Sequence, residues 1–524
     1  MFIKNKFALV DIFAGAGGLS EGFLQRKNLC SAHLSIEKDP IACRTLKIRK
    51  IYHLIQSNEI EDLDYIDLLK NQSQFDQFVT NDNSLRNILD NSVWNFELGS
   101  EDSNKTAETI KKKLSNQGWN SKKGDQIILI GGPPCQAYSI AGRSRRSKMI
   151  LTGKYKPEKD ERNFLYEKYL DLIEKLNPVM FLMENVPGIL SAKVNEELVF
   201  SKILKDLNYP SLKIEEKNSY ELFPLKKKED LFNKNSDFSI NSENYGIPQS
   251  RKRVIIFGIR KDLEVKEIPY LEEKEKIMIK DVLIDLPILR SGISKIDNKS
   301  VKDSETEWKR ALINWSLKEK KALTLDQADF LLKIINEIDK QPFLSGRGGD
   351  LLKKHKRVVN KKLAPDLLDW IMDDSLEYHL NLTTRAHMAG DLKRYLFNSI
   401  FTTLNNKSPL LSDYPDSLLP DHKSRTKGYQ DRFRTLLLDK PSKTITSHIS
   451  KDGHAFIHPD PLQCRSLTVR EAARIQTFPD NYFFSGNRTQ QYAQVGNAVP
   501  PYLAYLISGI VEQISNTHAA NKPV

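Results

Sequence analysis

The sequence is short of cysteine, of long apolar runs and of acid relative to base, and each shortage removes a class of protein. Its four cysteines, Cys30, Cys43, Cys135 and Cys464, lie 13, 92 and 329 positions apart. No CxxC pair has zinc-ligand spacing, and a disulfide framework is excluded. The longest apolar runs, such as Val179 to Met183 and Leu503 to Ile507, fall far short of the roughly 18 residues that span a bilayer. The N-terminus MFIKNKFALV lacks the apolar region and cleavage site of a secretory signal. These absences predict a protein of a reducing, cytoplasmic compartment with no membrane partner and no bound metal. With 68 Asp+Glu against 80 Lys+Arg, the 524 residues carry a net charge of +12, which favours a polyanionic partner such as nucleic acid. That length allows two or three domains with sizeable cores.

What is present is a succession of apolar strands, each abutting a polar string. Phe7 to Ile12 runs into Phe13-Ala14-Gly15-Ala16-Gly17-Gly18, and Leu19 to Leu29 reads as a helix, giving strand, glycine turn, helix. Ala32 to Ile36 ends in Glu37, 19 positions beyond Gly18, close to the ~20 that set an acid on a cofactor ribose in a dinucleotide-type fold. Gln126 to Ile130 precedes GGPPCQ, Val179 to Met183 precedes ENVPG, and Val254 to Ile259 follows QSRKR. The pattern predicts an α/β protein with a doubly wound, mostly parallel sheet. Residues 1–261 form its first domain, with an insertion of short helices and loops at about 61–124. Residues 262–464 have mixed charge and turn-rich patches and form a second, smaller domain. Residues 465–524 return to the first through a helix, Thr468 to Thr477, then GNAVPP and an apolar helix, Tyr502 to Ile514.

The glycine turn reads either as an ordinary strand-to-helix turn or as a cofactor loop. It is not the GxGxxG that cradles a pyrophosphate. Together with Glu37 it suits adenosine on an uncharged or sulfonium tail better than a nicotinamide dinucleotide. In Pro133-Pro134-Cys135-Gln136 two prolines fix the cysteine at a strand end, on the edge where open α/β sheets bind ligands. Cys135 also precedes Arg143 to Lys159, with seven basic residues and one acid, a setting that favours a thiolate. Glu184 and Asn185 follow their own strand, so a carboxylic acid of raised pKa could protonate a ring nitrogen while sulfur attacks the ring; a helix N-cap is the alternative. Arg251 and Arg253 precede their strand. They share this edge only if Val254 to Ile259 runs antiparallel to the others, and are otherwise a solvated strand end.

Taken together, DIFAGAGGLSEGF, SIEKD, GGPPCQAYSIAGR, ENVPG, QSRKRV, RSLTVREAARIQTFPD and QVGNAVPP resemble the DNA (cytosine-5)-methyltransferases over residues 1 to about 260 and 440 to 515. The resemblance implies a class I S-adenosylmethionine-dependent methyltransferase fold whose second domain recognises the target. It implies that Cys135 adds to C6 of a flipped-out cytosine, that Glu184 engages N3, and that Arg253, supported by Arg251, holds O2, with Asn185 orienting the Pro-Cys loop. Phe13, Gly15, Gly17, Gly18, Leu19, Glu37, Pro134, Asn497 and Val499 would contact S-adenosylmethionine, and the acid expected near the adenine amino group falls at Glu59. Gln136, Ser139, Arg143, Arg145 and Arg146 would contact double-stranded DNA, and the basic stretch Lys423 to Lys443, with Tyr429 and Phe433, would track phosphates. The family often has an aromatic where this chain has Lys38. The implied protein is a monomeric bacterial enzyme paired with a restriction enzyme. Methylation of tRNA cytosine is the alternative, although the chain lacks the Cys-Phe-Thr string and compact recognition region of those relatives. A non-enzymatic DNA-binding module and a NAD-dependent oxidoreductase account for fewer of the motifs.

Overall fold

The computed structural model describes residues 7–60, 63–133, 164–194, 197–210, 219–227, 236–354, 365–420 and 430–520. The chain divides into two compact units. One comprises Met1–Gly246, Arg251–Glu275 and Ala498–Val524; the other comprises Ile247–Ser250 and Lys276–Asn497. The division passes through QSRKR and through GNAVPP, so residues 465–497 are counted with the second unit.

The first unit is built on β1 (Phe7–Ile12), β2 (Cys30–Glu37), β3 (Val93–Asn95), β4 (Gln126–Gly131), β5 (Met180–Asn185), β6 (Tyr220–Phe223), β7 (Ser239–Asn241) and β8 (Lys252–Arg260). Their order is β3-β2-β1-β4-β5-β8-β6, with β7 also pairing β8. β1 to β5 are mutually parallel, whereas β8 runs antiparallel to β5, β6 and β7. The five strands expected from the sequence are all present, because strands covered on both faces read as largely apolar runs. Strand order reverses between β1 and β4, and the carboxyl ends there form the ligand crevice of such sheets.

β1 is buried throughout. Ala8, Val10 and Ile12 face a core that includes Ile110 and Leu114 of helix Ser103–Ser115, Leu172 and Ile173 of Phe164–Leu176, and Phe200 and Ile203 of Val199–Asn208. Leu9 and Asp11 alternate to the opposite face. The segment read as an insertion therefore supplies a sheet strand, β3, and a core helix. Helix α1 (Gly18–Leu24) is shorter than expected, capped at Gln25, with Asn28 in the left-handed region. It packs on the C-terminal helix Pro501–Ala520, where Gly22 is needed because a Cβ there would lie 2.4 Å from Tyr505 N.

The second unit surrounds a core that includes Trp308, Leu312, Leu331, Ile338, Leu392 and Leu396, drawn from helices Glu305–Glu319, Leu325–Lys340 and Ala389–Asn405. Helix Val469–Ile475 opens on a reciprocal cap. Thr468 Oγ1 accepts from Glu471 N–H, and Glu471 accepts from Thr468 N–H. No helix among the described residues is long and apolar enough to cross a membrane.

Candidate active site

At the end of β1 the chain turns through Phe13, a non-glycine residue at φ 57°, then Gly15 at φ 55° and Gly17 at φ 74°. The left-handed conformation costs Phe13 on the order of 1–2 kcal/mol, which the surrounding contacts offset. Gly15 N–H donates to Glu37 Oε2 and Asp39 N–H donates to Oε1, both at 2.9 Å. The carboxylate at the end of β2 is thereby locked beside the turn. Ala14 N–H and Gly17 N–H are also engaged, with Ile36 O and Ala14 O. Three of the turn's N–H groups are thus engaged within the chain, which leaves fewer of them for a diphosphate. Gly18 is required sterically, since a Cβ there would lie 2.2 Å from Val499 O; this sets Val499 against the turn. Leu19 is buried beneath it. Asn497 is an exposed residue ending helix Arg488–Asn497 and belongs to the second unit.

Glu59 is not brought to this edge. Helix α2 (Pro40–Gln56) starts at the carboxyl rim, capped by Asp39, and its 17 residues carry the chain about 25 Å back before Glu59. There Glu59 is exposed and accepts from Ser57 Oγ. The position beside Glu37 is taken by the end of β3. Phe96 N–H donates to Glu37 O at 2.9 Å, Asn95 Nδ2 donates to the Glu37 and Lys38 carbonyls, and the Trp94 and Phe96 rings stack at 4.1 Å. The sequence reading missed these residues, because a three-residue strand leaves no periodicity to detect. It also passed over Asp11, visible as the one acid inside an apolar strand. Asp11 is 1% exposed, and neither of its carboxylate oxygens has a partner of normal hydrogen-bond geometry among the described residues. Burial pushes its pKa up to about 7; Ser20 partly offsets the rise and the charge of Glu37 adds to it.

The second half of the edge lies across β4, β5 and β8. Antiparallel pairing sets Ile255 opposite Glu184 and Val254 opposite Asn185, so the start of β8 meets the end of β5, as a shared site requires. Arg253 Nε lies 2.7 Å from Glu184 Oε1, both side chains nearly buried. The other carboxylate oxygen lies over Gly132, where a Cβ would sit 2.8 Å from it. Arg251 is buried and donates to Ala498 O at 2.8 Å. Burial, with Arg253 beside it, holds its guanidinium well below the usual range, while Glu184 opposes that shift. Asn185 caps its own turn, Oδ1 accepting from Val186 N–H at 2.8 Å, and its buried Nδ2 has no partner among the described residues. Pro134, Cys135, Gln136, Ser139, Arg143, Arg145 and Arg146 lie outside the described residues, as does Tyr429. Phe433 is not a surface contact. It is 2% exposed and packs its ring near those of Tyr414 and His454 in the second core. Among the described residues no cluster of three His, Cys, Asp or Glu could hold a metal.

A doubly wound sheet with an antiparallel strand beside β5, carrying a carboxylate-locked glycine turn and a Glu–Arg pair on one rim, is the arrangement of a class I methyltransferase fold. The chain belongs to the C-5 cytosine-specific DNA methylases, whose family model matches residues 94–514. It is 32% identical to the type II methyltransferase M.Bpa9945I of Bacillus paralicheniformis, over 97% of this chain and 99% of that one. It is 24% identical to the type II methyltransferase M.DdeI of Desulfomicrobium norvegicum, over 97% and 88%. A crystal structure described as a prophage-encoded DNA modification methyltransferase (E. coli) shares the fold, with a TM-score of 0.51 at 18% identity over 98% of this chain and all of that one.

Proposed function

We propose that the chain is the sequence-specific modification enzyme of a bacterial restriction-modification system, acting as a cytoplasmic monomer on double-stranded DNA. It methylates C5 of a flipped-out cytosine through a covalent cysteine adduct. The observation that carries this reading is the Glu184–Arg253 pair at the same sheet edge as the Glu37-locked turn. The type II relatives support the restriction-modification setting, and the second unit is the target-recognition region.

The turn fits S-adenosylmethionine. Glu37 would take the ribose hydroxyls, Phe13, Leu19, Asn95, Phe96 and Val499 would wall the nucleoside, and the buried Asp11 carboxyl suits a cationic ligand, whereas the spent turn N–H groups do not suit a diphosphate. Pro134 and Asn497 join that set by resemblance. Bound S-adenosylmethionine supplies an electrophilic methyl group to C5. The chain's own residues make C5 reactive. The Cys135 thiolate forms a bond to C6, and the electron pair displaced from the C5–C6 double bond is stabilised as Glu184 donates to N3 and Arg253 holds O2. Arg251 braces Arg253, and the amide of Asn185 holds the Pro-Cys loop. After C5 carries the methyl, loss of its proton restores the double bond and expels Cys135. Flipping the base costs a few kcal/mol, offset by pocket and phosphate contacts from Gln136, Ser139, Arg143, Arg145 and Arg146.

Duplexes of varied sequence carrying 5-fluorocytosine test this, because fluorine at C5 cannot leave as a proton does. The wild-type chain with S-adenosylmethionine should form a denaturation-resistant adduct on a subset of duplexes, and Cys135→Ala should form none. Adducts on RNA alone would establish the tRNA alternative, and none on either nucleic acid would leave the non-enzymatic one.

A further inference from the structure

Within the second unit, arginines that the reaction does not use converge on one backbone carbonyl. Residues 343–349 form a tight loop in which Gly346 N–H donates to Phe343 O at 2.8 Å and Gly348 N–H to Ser345 O at 2.7 Å. Arg290 N–H closes on Gly346 O at 3.0 Å. Gly348 has φ 71°, and a Cβ there would lie 2.2 Å from Leu382 O. The loop is tied to Thr384, whose N–H donates to Arg347 O at 2.9 Å. Thr384 O accepts from both Arg347 Nη2 and Arg488 Nη1, each at 2.9 Å. Gly292 makes room for this, since a Cβ there would lie 2.7 Å from Arg347 Cζ. Arg385, next along the chain, donates to Lys451 O and Ile449 O and lies 4.4 Å over the Tyr492 ring.

The charge does not balance. Arg290 and Arg347 share one carboxylate, Asp303, at 2.9 and 3.4 Å, while the hydrogen bonds of Arg385 and Arg488 given above are to carbonyls. The next acid, Asp350, is exposed and accepts from Thr383 Oγ1. Burial, with Arg385 nearby, holds His387 neutral, and burial also pushes the Arg488 guanidinium down, with Arg385 and Arg347 adding to it. Nε of Arg347 and Nε of Arg385 are buried without a hydrogen-bond partner. Guanidiniums held this close are costly unless an anion joins them. Solvent reaches the group, with the Arg347 side chain 30% exposed and Arg488 half-buried. On the same loop Leu344 stands 90% exposed.

We propose that Arg347 and Arg488, buttressed by Arg385 and Thr384, grip a backbone phosphate of the DNA substrate. The assignment rests on the methylase reading above. Guanidinium forks match phosphate oxygens, and Leu344 selects the source of the phosphate. An apolar side chain beside the grip has sugar and base surface to pack on in a polymer and nothing to pack on in a free anion.

The test uses the full-length chain and labelled duplexes of several sequences, with affinity followed against salt. Arg347→Gln with Arg488→Gln should weaken binding by about tenfold or more on every sequence alike and reduce the slope of log affinity against log salt by about one to two. Among the described residues Arg488→Gln alone removes one hydrogen bond, that to Thr384 O, and a slope reduced by about one keeps the test readable where the double variant unfolds. Unchanged affinity and slope would overturn the assignment. So would stabilisation of the wild type by inorganic phosphate with DNA affinity untouched by the substitutions, which would make this a small-anion site. If the wild type neither binds nor methylates DNA, the functional reading fails; if it does both and the variants match it, this inference alone fails.

Discussion

β1 of the first unit is buried throughout and apolar but for Asp11, and the charges that matter there, Glu37, Glu184 and Arg253, stand at the rim of its sheet. The first unit also encloses an ion pair, Glu21 with Arg49, but among the described residues the second unit buries more charges in its interior. Arg465 is fully enclosed and forks onto Glu471 through two bonds of 2.7 Å. Arg474 bridges Asp480 and Asp285, and Arg470 gathers the carbonyls of Leu380, Pro479 and Tyr482. A parallel sheet satisfies its own backbone and leaves rim side chains free for chemistry. A region with few and short strands needs side chains to satisfy its loop carbonyls, and arginine, with five donors, does so most economically. Substitutions at the rim should therefore cost activity, and substitutions of the buried brackets should cost the fold.

The largest expected effect tests the rim. Glu184→Gln keeps the size and one acceptor but removes the acid, and should slow methyl transfer by about 10²–10⁴-fold, with the urea midpoint and DNA affinity near wild type. A few-fold effect would mean that Glu184 is not the group acting on N3. Next comes the bracket. Glu471→Gln leaves Arg465 enclosed without its counter-charge, a change worth about 3–5 kcal/mol. The burial-raised, Arg465-lowered carboxyl of Glu471 lies at about 2, so it is charged at any working pH. The loss should appear in the urea unfolding of the second unit. Lys38→Gln, which breaks an exposed pair with Glu97 in the first unit, serves as the contrast and should stay within about 0.5 kcal/mol. Comparable losses from the two would erase the distinction between rim and bracket.

How much of this was legible in the sequence follows from the same contrast. The rim could be read because most of the parallel strands are largely apolar runs that stop at a polar string, and because Arg251 and Arg253 stand at the start of their strand, so that sharing the edge requires the antiparallel pairing found for β8. β3 was hidden, its three residues set between polar neighbours. Glu59 was misplaced because counting residues cannot show that α2 carries the chain away from the rim. Phe433 was misread because a basic neighbourhood says nothing of which side chain turns inward. The grouping of Arg347, Thr384, Arg385 and Arg488 spans well over a hundred positions of a region with weak periodicity, and only the folded chain brings them together.

The last expected effect concerns Asp11, a buried acid of the first unit that, unlike Glu21, has no arginine paired with it among the described residues. Its carboxyl is raised to about 7 from 3.8, by burial first and by Glu37 in addition, against a smaller opposing effect of Ser20. The folded state thus holds the proton more tightly than the unfolded one. The resulting stability is fully present below about pH 4 and is lost as pH rises toward 7. Between pH 5 and 7 the loss is about 2 kcal/mol at 1.36 kcal/mol per unit. Asp11→Asn has no proton to lose, so the difference in unfolding free energy between pH 5 and 7 should shrink by about that amount in the ligand-free chain. An equal pH dependence in variant and wild type would clear Asp11 of this role. Bound cation should reverse the balance, because positive charge beside the carboxyl favours its ionised form. Affinity of the wild type for S-adenosylmethionine should therefore rise with pH through 7 while that of Asp11→Asn stays flat. A parallel rise in both would place the titrating group elsewhere and leave the buried acid as a feature of the strand rather than of the ligand site.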